Sequence, residues 1–492
     1  MSSPSSSLTW QQVTPGIESF YSSIVVLYEG TGRMFFGMTG FLSLSVENAT
    51  EEAVDEALQK AWQTLRYDHP TLGSQVTQNE EKTAFFKTYK QFTNDNDRVE
   101  WLQKTFVPIS NGQTGLEWAN SDPPAPHIPT LFVVKPPSTS DGVVRRDLVF
   151  RSPHDIIDGI GALIMLNNLI SHAAHAFKEG TGYQLPIFDG SEAANLSPVY
   201  RIAANTPEKL SPEQEAHLKH VVEEKARVAA ATDAEVLGLP YKEGATVPGK
   251  HQRVALTLSA EQTSQLLAAS KKAGMTPTHL YHAALAMVNR DIQPPSAETK
   301  RVRYINYILR NERPSCQEPY STSKHPAAVY HSVSGPPLTV DMDLLDSGKT
   351  ADAESRREEF RSIAQKMKDF YEEVRNDKMH AALVPQLWGS PEVPPSPRPL
   401  PIPPPDTRPA VSISSMGKVD SIVKPDNGAF KVHDAWVTGE ELRSGLGLFL
   451  GTFGGQLCLS GAYNDAWHDE DEVMDFLHRC QAIVADWAGI SA

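Results

Sequence analysis

The residues best suited to chemistry stand in one short segment, residues 151–161, which reads RSPHDIIDGIG. It contains His154, then Asp158 four residues later, then Gly159. An imidazole titrates near neutral pH and is therefore suited to take a proton from a reacting hydroxyl or amine. We predict that His154 is a general base in a cleft and that Asp158 fixes the turn by pairing with a distant arginine. Spacing alone leaves a second interpretation open, in which His154 is an ordinary loop histidine and Asp158 a helix N-cap.

The elements on either side favour the first interpretation, because they place the histidine at the end of a strand. Residues 147–151 read as a strand, and residues 129–134 predict a second one. After the turn, apolar residues recur at helical spacing from Ile160 to Ala174, which predicts a helix of about 17 residues. A histidine between a strand and a helix can point into a cleft, and Gly159 beside the aspartate permits a close approach by another group.

Upstream, residues 23–48 read as extended, and a helix follows them. Thr50 is a candidate N-cap, and Val54, Leu58, Trp62 and Leu65 form an apolar stripe. Pro70 predicts the end of this helix, because the residue before a proline avoids helical geometry.

The second half of the chain repeats this outline, so two lobes are expected. The predicted elements are a strand at 253–258, helices at 260–273 and 277–288, a strand at 302–309, a helix at 352–374, an extended proline-rich loop at 385–409, late strands near 411–415, 447–450 and 456–460, and a helix at 469–487. We predict a mixed α/β fold with two open sheets, each flanked by helices. The predicted divisions are 1–190, a connecting segment at 191–250, and 251–492.

Composition restricts the function classes. The 492 residues carry a formal net charge of −15, which disfavours nucleic-acid or anionic-membrane binding, since both need a basic face. The N-terminal residues lack the apolar core of a signal peptide, and we find no run of about 18 apolar residues. Three separated cysteines show neither a disulfide framework nor zinc spacing. We expect a cytoplasmic protein without a resident metal.

Several segments together resemble a known family. His154-x-x-x-Asp158-Gly159 is similar to the signature of the coenzyme A-dependent acyltransferase superfamily, which includes plant BAHD enzymes, fungal trichothecene O-acetyltransferases and condensation domains. Weaker similarities follow in the same order: His69-Pro70-x-Leu72, Arg310-Asn-Glu-Arg313-Pro314, Val411–Val419, and the segment from Thr452 to Asn464. The chain most resembles the fungal trichothecene 15-O-acetyltransferase type. The plant Asp-Phe-Gly-Trp-Gly element is missing, and Pro153 stands where condensation domains usually carry a first histidine.

The resemblance implies two lobes like those of chloramphenicol acetyltransferase, with an active-site channel between them. It implies an acyl-CoA, namely acetyl-CoA, as co-substrate, without a permanently bound cofactor, and a fungal secondary metabolite as acceptor. His154 would be the base, Gly159 would leave room in the channel, and Asp158 would pair with Arg310, or alternatively with Arg313. Further candidates are Ser414, Ser415 and Thr452 as oxyanion donors and Lys271 and Lys272 as ligands of the CoA phosphates. Ordinary strand packing and a solvated helix face are the competing interpretations.

Other readings stay open. The same fold can condense or cyclise a chain bound to a carrier protein, or serve as a non-catalytic binding protein. The histidine pairs at 172/175, 217/220 and 279/282 have helical spacing but no clear third ligand, so no metal site is predicted. A serine hydrolase has no support, because the Gly-x-Ser-x-Gly pattern is missing. We expect a monomer, since two lobes of one chain already supply the cleft.

Overall fold

A computed structural model of the chain describes residues 9–14, 16–81, 83–137, 142–389, 394 and 398–490. Within these ranges the helices are α1 (Ile17–Val26), α2 (Glu51–Asp68), α3 (Asp95–Thr105), α4 (Gly115–Asn120), α5 (Gly159–Glu179), α6 (Tyr200–Ala203), α7 (Pro212–Ala230), α8 (Ala260–Lys272), α9 (Pro277–Asp291), α10 (Ala353–Asn376), α11 (His380–Trp388) and α12 (Glu470–Ala488). The strands are β1 (Thr9–Val13), β2 (Met38–Glu47), β3 (Ser74–Gln78), β4 (Phe85–Lys90), β5 (Phe106–Ile109), β6 (Thr130–Val134), β7 (Val143–Ser152), β8 (Glu235–Val236), β9 (His251–Thr257), β10 (Lys300–Asn306), β11 (Leu309–Asn311), β12 (His331–Val333), β13 (Leu338–Leu344), β14 (Val411–Lys418), β15 (Asp426–Asn427), β16 (Phe430–Gly439), β17 (Leu446–Phe453) and β18 (Gln456–Asn464).

The strands form several sheets, of which two build the lobes. A six-stranded sheet in the order β15-β16-β2-β7-β6-β5 lies in the N-terminal lobe, and a four-stranded sheet in the order β14-β17-β18-β9 lies in the C-terminal lobe. Three smaller sheets of two or three strands complete the described part of the chain. The sequence predicted a mixed α/β fold correctly, but with two sheets only.

Each lobe has its own apolar core. In the N-terminal lobe, α2 and α5 pack together on the six-stranded sheet around residues such as Leu42, Trp62 and Leu166. In the C-terminal lobe, α9 and α12 pack on the four-stranded sheet around residues such as Leu285 and Leu448. α5 is long and apolar enough to cross a membrane by composition, yet half of that apolar stretch is buried inside this core.

Two consecutive strands, β15 and β16, cross from the second half of the chain into the N-terminal sheet. β16 pairs antiparallel with β2 along its length, and Gly439 lies opposite Met38. β7 pairs with the other edge of β2, where Met38 lies opposite Ser152. The ends of β7 and β16 therefore leave the same edge of the sheet on either side of Met38. The domain boundaries at 190 and 250 stay a prediction. No single boundary in the sequence can separate the two lobes, because residues 426–439 belong to the N-terminal sheet.

The prediction of extended structure before Gly30 was wrong. Residues 17–26 form α1, and Ile17, Tyr21 and Ile24 are buried on one face at helical spacing. The misreading has a physical reason, since a short apolar run such as Ile24-Val-Val-Leu27 fits a buried strand and a buried helix equally well. β2 begins only at Met38.

Other local predictions were confirmed at α2 but differ from the structure at α5 and at the proline-rich loop. The Thr50 side chain accepts a hydrogen bond from Ala53 N, and α2 ends at Asp68 directly before His69-Pro70. α5 is longer than predicted and spans 21 residues. The proline-rich loop begins later than expected, because Pro385 lies inside α11. Residues 390–393 and 395–397 of that loop lie outside the described residues, and residues 398–409 form neither helix nor strand. Cys316, Cys458 and Cys480 are all free thiols.

Candidate active site

His154 and Asp158 lie on the turn that joins β7 to α5. Asp158 is the N-cap of α5, and its Oδ1 accepts a hydrogen bond from Gly161 N at 2.7 Å. This is the cap geometry that the second interpretation of the sequence proposed. The cap is only part of its environment, because the same carboxylate also meets an arginine from the second half of the chain.

Arg313 holds the Asp158 carboxylate. Its Nη1 donates to both carboxylate oxygens at 2.8 Å, and Tyr330 N donates to Oδ2 at 2.8 Å. The two side chains are only 4% and 5% exposed. Burial acts to raise the pKa of Asp158, but the Arg313 charge and the hydrogen bonds outweigh it and hold that pKa well below its usual range. Asp158 is therefore charged, and both of its carboxylate oxygens accept hydrogen bonds that anchor the turn.

The first choice of partner for Asp158, Arg310, was wrong, and the alternative, Arg313, is correct. Arg310 Nε lies 3.0 Å from Glu312 Oε1, and its guanidinium also donates to the Val374 carbonyl. The neighbouring carboxylate of Glu312 captures Arg310, whereas the turn after β11 carries Arg313 to the start of α5. Two arginines three residues apart cannot be distinguished by sequence spacing alone.

His154 is held by ring stacking. The Tyr21 ring lies parallel to the imidazole, with 3.8 Å between centroids and 7° between planes. Nδ1 of His154 is buried and has no hydrogen-bond partner, which leaves Nε2 as the nitrogen that a ligand can reach. Burial, and then the nearby His331, lower the pKa of His154 from 6.5 to about 3. The imidazole is consequently neutral at physiological pH and able to accept a proton.

Sequence reasoning missed two residues beside this histidine, Tyr21 and His331. The Tyr21 hydroxyl forms a 2.9 Å hydrogen bond with His331 Nε2, and His331 Nδ1 lies 3.9 Å from the Asp158 carboxylate. The stacked tyrosine is thus linked to the buried ion pair through His331. No sequence motif marks either residue, because both reach the site through contacts between distant parts of the chain.

A cavity of about 600 Å³ opens at this histidine, between the two lobes. Its lining surface is mainly apolar, with several aromatic rings, although charged residues such as Arg310, Asp406 and Arg443 also reach it. The residues that line it include His154, Gly159, Tyr21, Phe35, Phe36, His331, Ser414, Ser415, Glu441 and Arg443. A cavity of this size and character is typical of a site for a small organic ligand.

The structure brings only some of the other candidates to the cavity. Ser414 and Ser415 line it from β14, and Ser415 Oγ lies 2.9 Å from Thr278 Oγ1. Thr452 lies farther along β17 and does not line the cavity. Lys271 and Lys272 are exposed in the last turn of α8, also away from the lining residues. Contact between these lysines and the phosphates of a donor stays a prediction.

The three histidine pairs have other partners. His172 lies 2.9 Å from Asp68, and His217 lies 2.9 Å from Asp377. His282 is held between the hydroxyls of Tyr304 and Tyr371. Among the described residues no group of three or more potential metal ligands comes together.

The two glycines after Asp158 differ in their surroundings. A Cβ added to Gly159 would meet the Val437 side chain at 3.4 Å, which is ordinary contact. A Cβ added to Gly161 would overlap the Pro326 carbonyl and lie 2.8 Å from Arg313 Nη2. Gly161, which the sequence analysis did not single out, is therefore the glycine that lets the arginine reach Asp158.

Comparison with known proteins gives consistent results. The sequence profile of the family described as 15-O-acetyltransferase Tri3 matches residues 42–384. Acetyltransferase pigO of Monascus ruber is 24% identical, with 94% of each chain covered. O-acetyltransferase pigM of the same organism is 25% identical, over 97% of this chain and 87% of the relative.

Solved structures share the fold. TRI3 trichothecene 15-O-acetyltransferase from Fusarium sporotrichioides superposes with a TM-score of 0.76 at 18% identity, covering 97% of this chain and 96% of that one. The first condensation domain of the calcium-dependent antibiotic synthetase gives a TM-score of 0.61 at 14% identity, covering 99% and 97%. The predicted two-lobed fold is thereby confirmed.

Removing Arg313 is expected to destabilise the protein strongly. Arg313→Ala leaves a buried carboxylate without its cation, which lowers the free energy of unfolding by about 3–5 kcal/mol. The matched control, Arg301→Ala, breaks an exposed pair with Asp343 and costs at most about 1 kcal/mol. Urea unfolding at neutral pH measures both.

The pH dependence of this loss has a defined sign. Because the pKa of Asp158 is held low in the folded state, the ion pair contributes its stability above the ordinary aspartate pKa of about 4 and loses it on acidification. The difference between wild type and Arg313→Ala should therefore shrink as the pH falls. If Arg313→Ala and Arg301→Ala lower the free energy of unfolding equally at neutral pH, the assignment of Arg313 as the buried partner of Asp158 is contradicted.

The two glycines are expected to differ in how much stability an alanine costs. In Gly161→Ala the added methyl group overlaps the Pro326 carbonyl and crowds Arg313. This substitution should lower the free energy of unfolding by about 1–3 kcal/mol. Gly159→Ala meets only ordinary contacts and should change it by less than about 1 kcal/mol. Chemical denaturation of both variants tests this, and a larger loss in Gly159→Ala would show that the space around the turn is misassigned.

Proposed function

Since the chain belongs to the 15-O-acetyltransferase Tri3 family and is an acyltransferase, we propose that it transfers an acetyl group from acetyl-coenzyme A to a hydroxyl of a small-molecule secondary metabolite, with His154 as general base. The predicted family and enzyme class are confirmed. One observation carries the finer proposal: a neutral imidazole, stacked on Tyr21, opens into a largely apolar cavity between the lobes.

His154 Nε2 accepts the proton of the acceptor hydroxyl as its oxygen attacks the thioester carbonyl carbon. A C–O bond forms and the carbonyl oxygen becomes an oxyanion. When the carbonyl re-forms, the C–S bond breaks and the His154 imidazolium returns the proton to the departing thiolate. The products are the ester and the free thiol, and no acyl group is attached to the protein.

The low pKa of the resting imidazole does not prevent this step. A negative charge develops beside the ring as the hydroxyl loses its proton, and an adjacent negative charge favours the imidazolium. Tyr21 keeps the ring in place by stacking, and His331 anchors the Tyr21 hydroxyl. We assign both to positioning, because neither needs to exchange a proton with the substrate.

Asp158 has an equally indirect role. Arg313, Tyr330 N and Gly161 N occupy its oxygens, so we assign it to fixing the turn that carries His154. Ser414 and Ser415 are our candidates for stabilising the oxyanion, because both residues line the same cavity. Thr452 is no longer a candidate, since it lies outside the cavity lining.

All residues of this proposed machinery belong to one chain, and we propose that a monomer is active. A carrier-bound acyl donor is the other donor class compatible with the fold, because condensation domains share it. We propose free acetyl-CoA instead, on the basis of the acetyltransferase family.

His154→Ala should abolish acetyl transfer. Loss of a general base lowers the rate by roughly 10²–10⁴-fold, while His478→Ala, an exposed histidine on α12, should leave it unchanged. The assay incubates the protein with acetyl-CoA and a panel of hydroxylated terpenoid and polyketide acceptors, and follows ester and free CoA by mass spectrometry. Wild-type activity that survives in His154→Ala would refute the base assignment.

The donor is tested in the same assay. If turnover occurs only with acetyl groups loaded on a carrier protein, the donor is carrier-bound, as in condensation domains, and is not free acetyl-CoA. Ligand binding without turnover of either donor would indicate a binding protein built on this fold.

A further inference from the structure

A second polar group faces the cavity at some distance from His154. Glu441 follows β16 by two residues, is only 7% exposed, and lines the cavity. The proposed reaction assigns it no task. A buried carboxyl in a mainly apolar cavity is costly to keep unless something binds it.

The sheet register sets the spacing between Glu441 and His154. Ser152 and Gly439 lie opposite Met38 on either side of β2, and β7 and β16 run in the same direction. Two inter-strand steps separate the ends of these strands by roughly 10 Å. His154 and Glu441 each follow two residues later, so the loops that carry them leave the same edge of the sheet roughly 10 Å apart, a spacing that a small fused-ring molecule can span.

Aromatic rings line the cavity from His154 toward Arg443. Tyr21 stacks on His154 and approaches Phe36 at 6.3 Å between centroids, and Phe36 stacks on Phe35 at 4.0 Å. The Arg443 guanidinium then lies 5.4 Å from the Phe35 ring. A ligand along this row would meet a base at one end and aromatic faces in the middle, and Glu441 lines the same cavity next to Arg443 at the other end.

Glu441 forms no ion pair in the described part of the chain, although the Arg443 charge nearby acts to lower its pKa. The Arg443 guanidinium pairs instead with Asp406 at 3.0 Å, and only the Arg443 backbone N–H donates to Glu441, at 2.8 Å to Oε1. The Glu441 backbone N–H in turn donates to His251 Nδ1. Burial, reinforced by Asp406, raises the pKa of Glu441 to about 8. At neutral pH the group is a carboxylic acid that can donate its O–H.

We propose that Glu441 recognises the acceptor by donating a hydrogen bond to a carbonyl or ether oxygen at the end of the molecule opposite the acetylated hydroxyl. This proposal rests on the proposed function, because that function identifies the hydroxyl near His154 as the end of the acceptor that reacts. It defines the acceptor class as an uncharged fused-ring alcohol with an oxygen on its far ring. A carbonyl of the pantetheine arm of acetyl-CoA offers the same chemistry, and the experiment separates the two sources.

The test measures acceptor binding by calorimetry in the absence of any acyl donor. The probes are rigid fused-ring alcohols of increasing ring count, each paired with a derivative that carries a keto group on the ring farthest from the hydroxyl. We expect wild type to prefer one keto alcohol over its partner by about tenfold, the value of one net hydrogen bond. Glu441→Gln keeps an N–H donor and should retain the preference, whereas Glu441→Leu should lose it.

Several outcomes would overturn the proposal. These are equal binding of all pairs by wild type, an unchanged preference in Glu441→Leu, or weaker acetyl-CoA binding in Glu441→Leu with acceptor binding unaltered. Thermal unfolding checks that each variant is folded, and Glu441→Ala, which also lacks a donor and should lose the preference, replaces the leucine variant if that one does not fold. Repeating the titration in His154→Ala keeps this test independent of catalysis. If wild type prefers the keto alcohol but transfers no acetyl group in the activity assay, the Glu441 subsite is supported and the proposed reaction is refuted.

Discussion

The buried ion pair between Asp158 and Arg313 determines where α5 begins and therefore where His154 lies. It connects the turn after β7 with a segment more than 150 residues later in the chain, and Tyr330 N joins the same carboxylate. Desolvation of two charges offsets much of the attraction between them, so such a pair contributes less to net stability than to placement. Its consequence here is geometric: the pair fixes the turn that carries the imidazole, and His331, which bonds the stacked Tyr21, lies 3.9 Å from the same carboxylate.

The second constraint is the central position of β2 in the six-stranded sheet. Because β7 and β16 both pair with β2, the histidine turn and the loop after β16 leave one edge of the sheet together. The crossing of β16 into the N-terminal sheet thus gives the cavity a wall from the second half of the chain. Ser414 and Ser415 on β14 complete the lining from the other lobe.

The sequence was informative where a function needs a local pattern. His154, Asp158 and Gly159 form one short motif, and the cap at Thr50 and the stop at Pro70 depend on neighbouring residues only. The remaining features depend on contacts between distant segments. Arg310 and Arg313 are equivalent in sequence until Glu312 and the turn after β11 separate them. Tyr21 lies on a helix that was read as extended, and nothing in the residues around His331 or Glu441 marks the cavity that they share.

The pH dependence of kcat/KM for acetyl transfer tests the central claim most directly, because it reports the pKa of the essential base in the free enzyme. Burial lowers the pKa of His154 to about 3, so the imidazole stays neutral and competent as the medium is acidified. We predict no loss of kcat/KM attributable to a group with a pKa near 6.5 as the pH falls from about 8 to 5. A fall in kcat/KM with an apparent pKa close to 6.5, in protein that remains folded, would contradict the account of a buried, neutral His154 base.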